Sequence, residues 1–391
     1  MEWSPQQEGA IVAIRRWLES GRGGIFYLAG YAGTGKTTLA RHIVEDYEAV
    51  FCAFTGKAAN VLQSKGCLGA TTIHSLIYEP KEASQARLIE LQKQLAQTPE
   101  DMPTFRQRLE EQIEKERENM NRAFFSLRES SSITQADVVV VDECSMVDRF
   151  VGKDLESFGV PLLVLGDPAQ LPPVKGQGYF TSREPDWTLT EIHRQARDNP
   201  IIDLATRVRN GERLHPGDYG TSRVILRNDM TAEMALQADQ IIVGRNATRM
   251  KWNNRIRQLK GHEDPFPTEG ERLVCLKNDS EKDLYNGAIY RVSEMRGVDG
   301  SSVEMVVESE RGQPIEVSAH DSHFLGVDAD RWVRRDFDEF TYGYALTGHK
   351  AQGSQWDDVL VLDESGAFRG NARQWLYTTI TRAAERLTVV L

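Results

Sequence analysis

The chain has little of what would place it outside a cell or in a membrane. Of 391 residues only four are cysteine, at positions 52, 67, 144 and 275. They form no CxxC pair and no zinc spacing, so they read as reduced, mostly buried thiols of a cytoplasmic protein. No apolar run approaches the length of a membrane span, and the opening MEWSPQQEG is not a signal peptide. Low-complexity tracts are missing, and so is any cluster of carboxylates with a lysine of the kind that cleaves nucleic-acid strands. Positive charge is also short: 47 Lys and Arg against 58 Asp and Glu leave a formal net charge of −11. That balance excludes a protein that coats nucleic acid by bulk charge. It leaves room for a narrow basic groove on an acidic body, because phosphate contacts are local.

What is present points to an α/β protein of two or more domains. Residues 25–30, IFYLAG, form a short apolar run of strand type. GYAGTGKT follows at 30–37, then TTLARHIVEDY with helical spacing. Strand, glycine loop and helix are the context that makes G-x-x-x-x-G-K-[ST] a phosphate-binding loop. Glycines let backbone N–H groups turn toward phosphate oxygens, and the helix N-terminus adds partial positive charge. The candidate nucleotide ligands are Gly30, Gly33, Thr34, Gly35, Lys36, Thr37 and Thr38. Lys36 would reach the β- and γ-phosphates, and the Thr37 hydroxyl would hold Mg²⁺. ATP and Mg²⁺ are therefore expected.

Residues 81–129 interrupt this pattern. They are rich in Glu, Gln, Arg and Lys. Leu88, Leu91 and Leu95 fall on one helical face, and Phe105, Leu109 and Ile113 on another. TPEDMP lies between them as a turn signal, and Thr104 with Gln107 restarts a helix as a capping box. The expectation is an inserted antiparallel helical hairpin, either functional or merely a solvated helix pair. A second α/β pattern begins near 196. Short strands with tight turns fill about 265–335, where Asn286-Gly287 and Asp299-Gly300 are hairpin signals. A small β-barrel inserted in the second α/β unit is expected there. The boundaries are thus 1–80 with 130–195, 81–129, 196–264 with 336–391, and 265–335.

Asp142 and Glu143 end the apolar run VVVVDE. Beside a phosphate loop, the first would support the Mg²⁺ shell and the second would activate the attacking water. Gln170, in GDPAQLPPV, lies in a loop where an amide can sense the γ-phosphate. Arg194, in LTEIHRQ, and Arg382, in TTITRA, are candidates for neutralising transition-state charge. An ATP site in a cleft between two α/β units follows, with closure coupled to nucleotide state.

The order of these motifs resembles the superfamily 1 helicases, specifically the 5′-to-3′ branch that includes RecD and Dda. The matching stretches are GYAGTGKT, FTGKAA, TTIHSLI, VVVDECSMVD, GDPAQLPPV, LTEIHRQ, TGHKAQGSQWDDVLV and LYTTITRA. The resemblance implies two RecA-like lobes, the barrel being an SH3-like insertion in the second. It implies that Gln7 reads adenine, with Gln6 as the competing residue, and that Gln352 and Gly353 face the nucleotide. Single-stranded DNA would cross both lobes. Thr55, Gly56, Lys57, Thr72 and His74 would grip it on the first, and Arg245, Asn246, Thr347 and His349 on the second.

The activity so implied is ATP-driven unwinding of duplex DNA by a monomer working in a bacterial or phage-infected cell. Replication or recombination proteins are compatible partners. In the relatives a β-hairpin of the first lobe separates strands. Here the helical insert stands in that place, and its tip around Thr98 to Phe105, or its base near Phe124 and Phe125, is the expected wedge. The alternatives are a phosphate-loop ATPase without unwinding activity and a motor subunit of a recombination or repair complex.

Overall fold

The computed structural model describes the chain except residues 1–2, 99–104, 107, 111, 114–124, 129–130, 174–175, 192–198, 280–281, 310–311 and 328–336. The strands in its first half are β1 (Ile25–Gly30), β2 (Ala49–Ala53), β3 (Thr71–Thr72), β4 (Tyr78–Pro80), β5 (Phe125–Leu127), β6 (Val138–Asp142), β7 (Leu162–Gly166) and β8 (Trp187–Leu189). Six of them form a sheet in the order β3-β2-β6-β7-β1-β8, and every pairing in it is parallel. A parallel sheet is covered on both faces, so its strands read as continuous apolar runs rather than alternating ones. Val138, Val139, Val140 and Val141 are accordingly all fully buried. Each such side chain contributes roughly 1.5–3 kcal/mol.

One face packs on the helices Pro5–Glu19, Lys36–Ile43 and Gly56–Ser64, the other on Ile73–Ile77 and Arg149–Glu156. β1, β7 and β6 are successive neighbours. Their carboxyl ends therefore bring Gly30, Gly166 and Asp142 to one edge, where open α/β sheets hold ligands.

The insert leaves and re-enters at one place. β4 and β5 pair antiparallel, Tyr78 opposite Leu127. Between them runs the helix Lys81–Gln97, tied back to β4 by an Arg87–Glu79 ion pair at 2.9 Å. Residues 105–106, 108–110 and 112–113 are also helical, and Arg106 donates to the Leu95 carbonyl at 3.3 Å. Most of the expected tip, 99–104, and Phe124 lie outside the described residues. Phe125 opens β5.

The second half carries β9 (Gly217–Tyr219), β10 (Ser222–Ile225), β11 (Gln240–Val243), β12 (Arg272–Cys275), β13 (Ile289–Asp299), β14 (Ser302–Glu308), β15 (Pro314–His320), β16 (Phe340–Tyr342), β17 (Ala345–Thr347), β18 (Trp356–Leu362) and β19 (Ala383–Val390). Its main sheet runs β17-β11-β18-β19-β10-β9. That sheet is parallel apart from β9, which pairs antiparallel with β10 at the edge. The helices Pro200–Asn210 and Ala372–Ile380 cover one face.

A separate antiparallel sheet has the order β15-β14-β13-β12-β16. Register shifts within β13, one of them next to Gly297 at φ 135°, bend it. A bridge between Ala319 and Asp338 brings its two edges together. The expected limit at residue 335 falls short: β16 pairs with β12, so this unit extends to Tyr342. The sequence hid this because β16 is a three-residue strand, too short for a period-2 pattern to register. The Asp299-Gly300 signal lies at the β13–β14 turn, where Asp299 faces Ser302. Asn286-Gly287 instead closes the long loop 276–288, with Gly287 at φ 87° donating to the Cys275 carbonyl. The bent sheet and the second lobe share one core. At its margin Glu271, wholly buried, accepts from Arg257 at 2.8 and 3.0 Å. Among the described residues no helix is long and apolar enough to cross a membrane.

Candidate nucleotide cleft and nucleic-acid face

The loop after β1 curls back on itself through Gly33 and Gly35, at φ 79° and 78°. Gly35 is the N-cap of the helix Lys36–Ile43. Gly30 must lack a side chain because a Cβ there would stand 2.6 Å from the Thr34 hydroxyl. Lys36 Nζ donates to the carbonyls of Gly30 and Tyr31 at 2.7 and 3.2 Å. The Thr37 hydroxyl donates to Asp142 Oδ2 at 2.7 Å. Two hard oxygen donors side by side beneath a phosphate loop suit Mg²⁺, which is held by few protein ligands plus substrate phosphates.

A cavity of about 340 Å³ opens over this loop. Gly33, Gly35, Lys36, Thr37, Thr38, Asp142, Glu143, Gln170, Gly353 and Arg382 all line it. Glu143 sits at φ 52°, a left-handed conformation uncommon for a side-chain-bearing residue. Burial pushes its carboxyl above the ordinary range, and Arg382 opposes that shift. The Arg382 guanidinium stands 3.9 Å from Glu143 Oε1. It is itself held by the Thr378 and Ser354 carbonyls at 3.1 and 3.3 Å. Gln170 is buried, and its Oε1 has no hydrogen-bond partner among the described residues. An unpaired acceptor in a polar cavity is a place for water or a ligand.

Gln7 is buried. Its amide donates to the Thr34 carbonyl at 3.1 Å, while its Oε1 accepts from Ser4 N–H at 3.0 Å in a capping box. Gln6 is half-buried and accepts from the Thr190 and Glu191 amides instead. The structure thus brings Gln7, and not Gln6, to the phosphate loop. Gln352 is spent elsewhere: it donates to the Leu171 carbonyl at 3.0 Å, and only its neighbour Gly353 lines the cavity. Arg194 lies outside the described residues.

Sequence reasoning missed Asp167 and Tyr377. Asp167 directly follows β7 as Asp142 ends β6, so the rule that picked one could have picked the other. It is buried, which raises its carboxyl. Lys36 opposes that shift first, and a hydrogen bond from Tyr377 adds to the opposition. Tyr377 offered no signal beyond its place in LYTTITRA.

The nine expected nucleic-acid contacts do not converge in this way. Thr55 and Thr72 are N-caps, accepting from the Ala58 and Ser75 amides at 3.2 and 3.0 Å. Gly56 lies under the Tyr285 ring of the loop 276–288. Lys57 is buried with its Nζ 5.1 Å from the Trp356 ring centre. His74 stands between Phe54 and Tyr78, with ring centres 5.6 and 5.4 Å away, and burial lowers its pKa. Thr347 is buried. His349 is lowered by burial too and faces Phe368 at 5.8 Å. Arg245 and Asn246 are exposed at the start of the helix Asn246–Leu259. The backbone amides of Gly244 and Arg245 are already taken by Glu364, at 2.7 and 3.0 Å.

The profile of the AAA domain family matches residues 3–222, more than half of the chain, and that of the UvrD-like helicase C-terminal domain matches 342–390. The chain is 26% identical to the ATP-dependent RecD2 DNA helicase of Deinococcus radiodurans, over 92% of its own length and 46% of that protein's. It is 24% identical to the ATP-dependent DNA helicase Pif1 of Bdellovibrio bacteriovorus, over 92% and 81%. It therefore spans about half of the RecD2 relative's length. Its fold is similar to that of a Bacteroides Pif1 bound to single-stranded DNA, with a TM-score of 0.58, 18% identity and 99% and 92% of the two chains covered. A phosphate loop, paired acids, a second α/β lobe and these matches together make the chain a member of the AAA-domain family, in the RecD, Pif1 and Dda-like branch of the superfamily 1B helicases.

Proposed function

We propose that the chain is an ATP-driven motor that moves along single-stranded DNA, 5′ to 3′, and unwinds duplex ahead of it. The observation that carries this reading is the convergence of Lys36 and Glu143 from the first lobe with Arg382 from the second on one cavity. Such a site works only when both lobes are in place, so nucleotide state and lobe position are linked. Both lobes are read as RecA-like, and the bent antiparallel sheet as an SH3-like insertion.

In this reading the amides of Gly33 and Gly35 cradle the phosphates, and Lys36 leaves the Gly30 and Tyr31 carbonyls to reach them. Thr37 and Asp142 hold Mg²⁺, which neutralises phosphate charge when bound. Glu143 takes a proton from the attacking water, which Gln170 helps to orient. Arg382, and Arg194 with it, neutralise transition-state charge. Gln7 reads the base edge, and Gly353 abuts the nucleotide.

For the DNA, Thr55, Gly56, Lys57, Thr72 and His74 form the first grip, and Arg245, Asn246, Thr347 and His349 the second. Hydroxyls and backbone amides hold phosphates without reading sequence, as a translocating protein needs. The helical insert is the wedge. Deleting residues 84–126 is expected to abolish unwinding while DNA-stimulated ATP hydrolysis persists; unwinding at the normal rate would remove that role. The main test is steady-state ATP hydrolysis without nucleic acid and with single-stranded DNA, duplex DNA or RNA, in the wild type and Glu143→Gln. Strong stimulation by single-stranded DNA, lost in the variant, is expected. Indifference to every nucleic acid would overturn the motor reading.

A further inference from the structure

One hydroxyl crosses the cleft. Tyr377 Oη accepts from the Ala32 N–H of the phosphate loop at 3.1 Å and donates to Asp167 Oδ2 at 2.7 Å. Tyr377 and Asp167 are 2% and 1% exposed, so water offers neither a substitute partner. The next residue repeats the arrangement one loop further on: Thr378 Oγ1 accepts from Leu171 N–H at 2.8 Å. Both residues stand on the helix Ala372–Ile380. Just past its end is Arg382, whose Nε is held on the Thr378 carbonyl at 3.1 Å.

Apolar packing alone would leave that helix free to slide or roll by fractions of an ångström. Directional hydrogen bonds, one of them to a carboxylate, do not permit this. Loss of the hydroxyl would leave a half-buried amide and a buried carboxylate each short of a partner.

We propose that Tyr377 is a positioning residue for ATP hydrolysis: it registers the helix Ala372–Ile380 against the phosphate loop and so sets where Arg382 stands over the reacting phosphate. The proposal rests on the ATPase reading above. Tyr377 is not among the residues that line the cavity; it acts through Arg382. Its contribution therefore belongs to the transition state, where charge neutralisation counts, and little of it to ground-state binding.

The test is Tyr377→Phe, compared with the wild type in ATP turnover with and without single-stranded DNA. A loss in kcat of about tenfold is expected, with KM for ATP changed by less than about twofold. Affinity for ADP should hold, while affinity for ADP with aluminium fluoride falls by a similar factor of about ten. Combined with Arg382→Lys, the losses should be less than additive, because one residue works through the other. Unchanged kcat, a defect confined to KM, or full additivity would each overturn the proposal. If Tyr377→Phe loses its cooperative melting transition, Asp167→Asn weakens the same hydrogen bond by exchanging the carboxylate for a neutral amide oxygen that still accepts. A kcat loss at constant KM then supports the proposal, and wild-type kcat overturns it. A wild type that turns over no ATP defeats the underlying reading and the proposal with it. Turnover by the wild type matched by Tyr377→Phe defeats the proposal alone.

Discussion

The cleft residues and the proposed nucleic-acid contacts use their polar groups differently. In the cleft, side chains from distant parts of the chain point into one cavity, and several have poor or stretched partners: Gln170 Oε1 has none among the described residues, and Arg382 stands 3.9 Å from Glu143. The expected nucleic-acid contacts already have structural work. Thr55 and Thr72 cap helices, His74 packs among rings, and Glu364 takes the amides before Asn246. Bond-making chemistry needs groups held in wait at fixed positions. Holding a sugar–phosphate backbone needs only helix caps and loop edges that a fold supplies anyway.

That contrast can be broken most directly at Lys36. Lys36→Ala should abolish ATP hydrolysis, by about 10³-fold or more, while single-strand binding measured by fluorescence anisotropy is largely kept. Loss of DNA binding in a well-folded Lys36→Ala protein would show that the two sets of residues are not separable. Glu143→Gln comes next, with turnover down by about 10²- to 10⁴-fold and ATP affinity little changed. Because burial raises the Glu143 carboxyl, its base form is lost as pH falls through that raised value. The acid limb of the wild-type kcat profile should therefore lie above the ordinary glutamate range of about 4.3, and the residual activity of Glu143→Gln should lack it.

Away from both sets, Glu271→Ala strands Arg257 and should cost about 3–5 kcal/mol in unfolding free energy. A chemical-denaturation curve checks this, with kcat unchanged at permissive temperature. Gln7→Ala should raise KM for ATP a few-fold, consistent with about 1 kcal/mol for one hydrogen bond. A larger effect from Gln6→Ala would reverse the assignment. Thr55→Ala sharpens the contrast from the other side. It should cost about 1 kcal/mol of local stability and weaken single-strand affinity modestly, with KM for ATP untouched.

The phosphate loop, the paired acids and the strands that carry them were legible because each is local: an apolar run ends, and a polar residue follows. Convergence was not. That Tyr377 meets Ala32, or that Glu364 caps a helix begun more than a hundred residues earlier, depends on how sheets pack, which spacing along a chain does not encode. Gln352 shows a second limit, since a motif does not say which way a side chain turns, and its amide turns to a carbonyl of a neighbouring loop. The end of the bent sheet was misjudged because a three-residue strand carries almost no pattern.

The four cysteines described first as scarce have a practical consequence in the folded protein. All are buried, and burial raises every thiol, Cys275 to about 12. Since the thiolate is what reacts, alkylating reagents should find the native chain almost silent. Cys52, Cys67 and Cys144 belong to the first lobe and Cys275 to the bent sheet, so timed alkylation read by peptide mass would tell which unit opens first. A single cysteine added at an exposed position would carry a fluorophore against that quiet background.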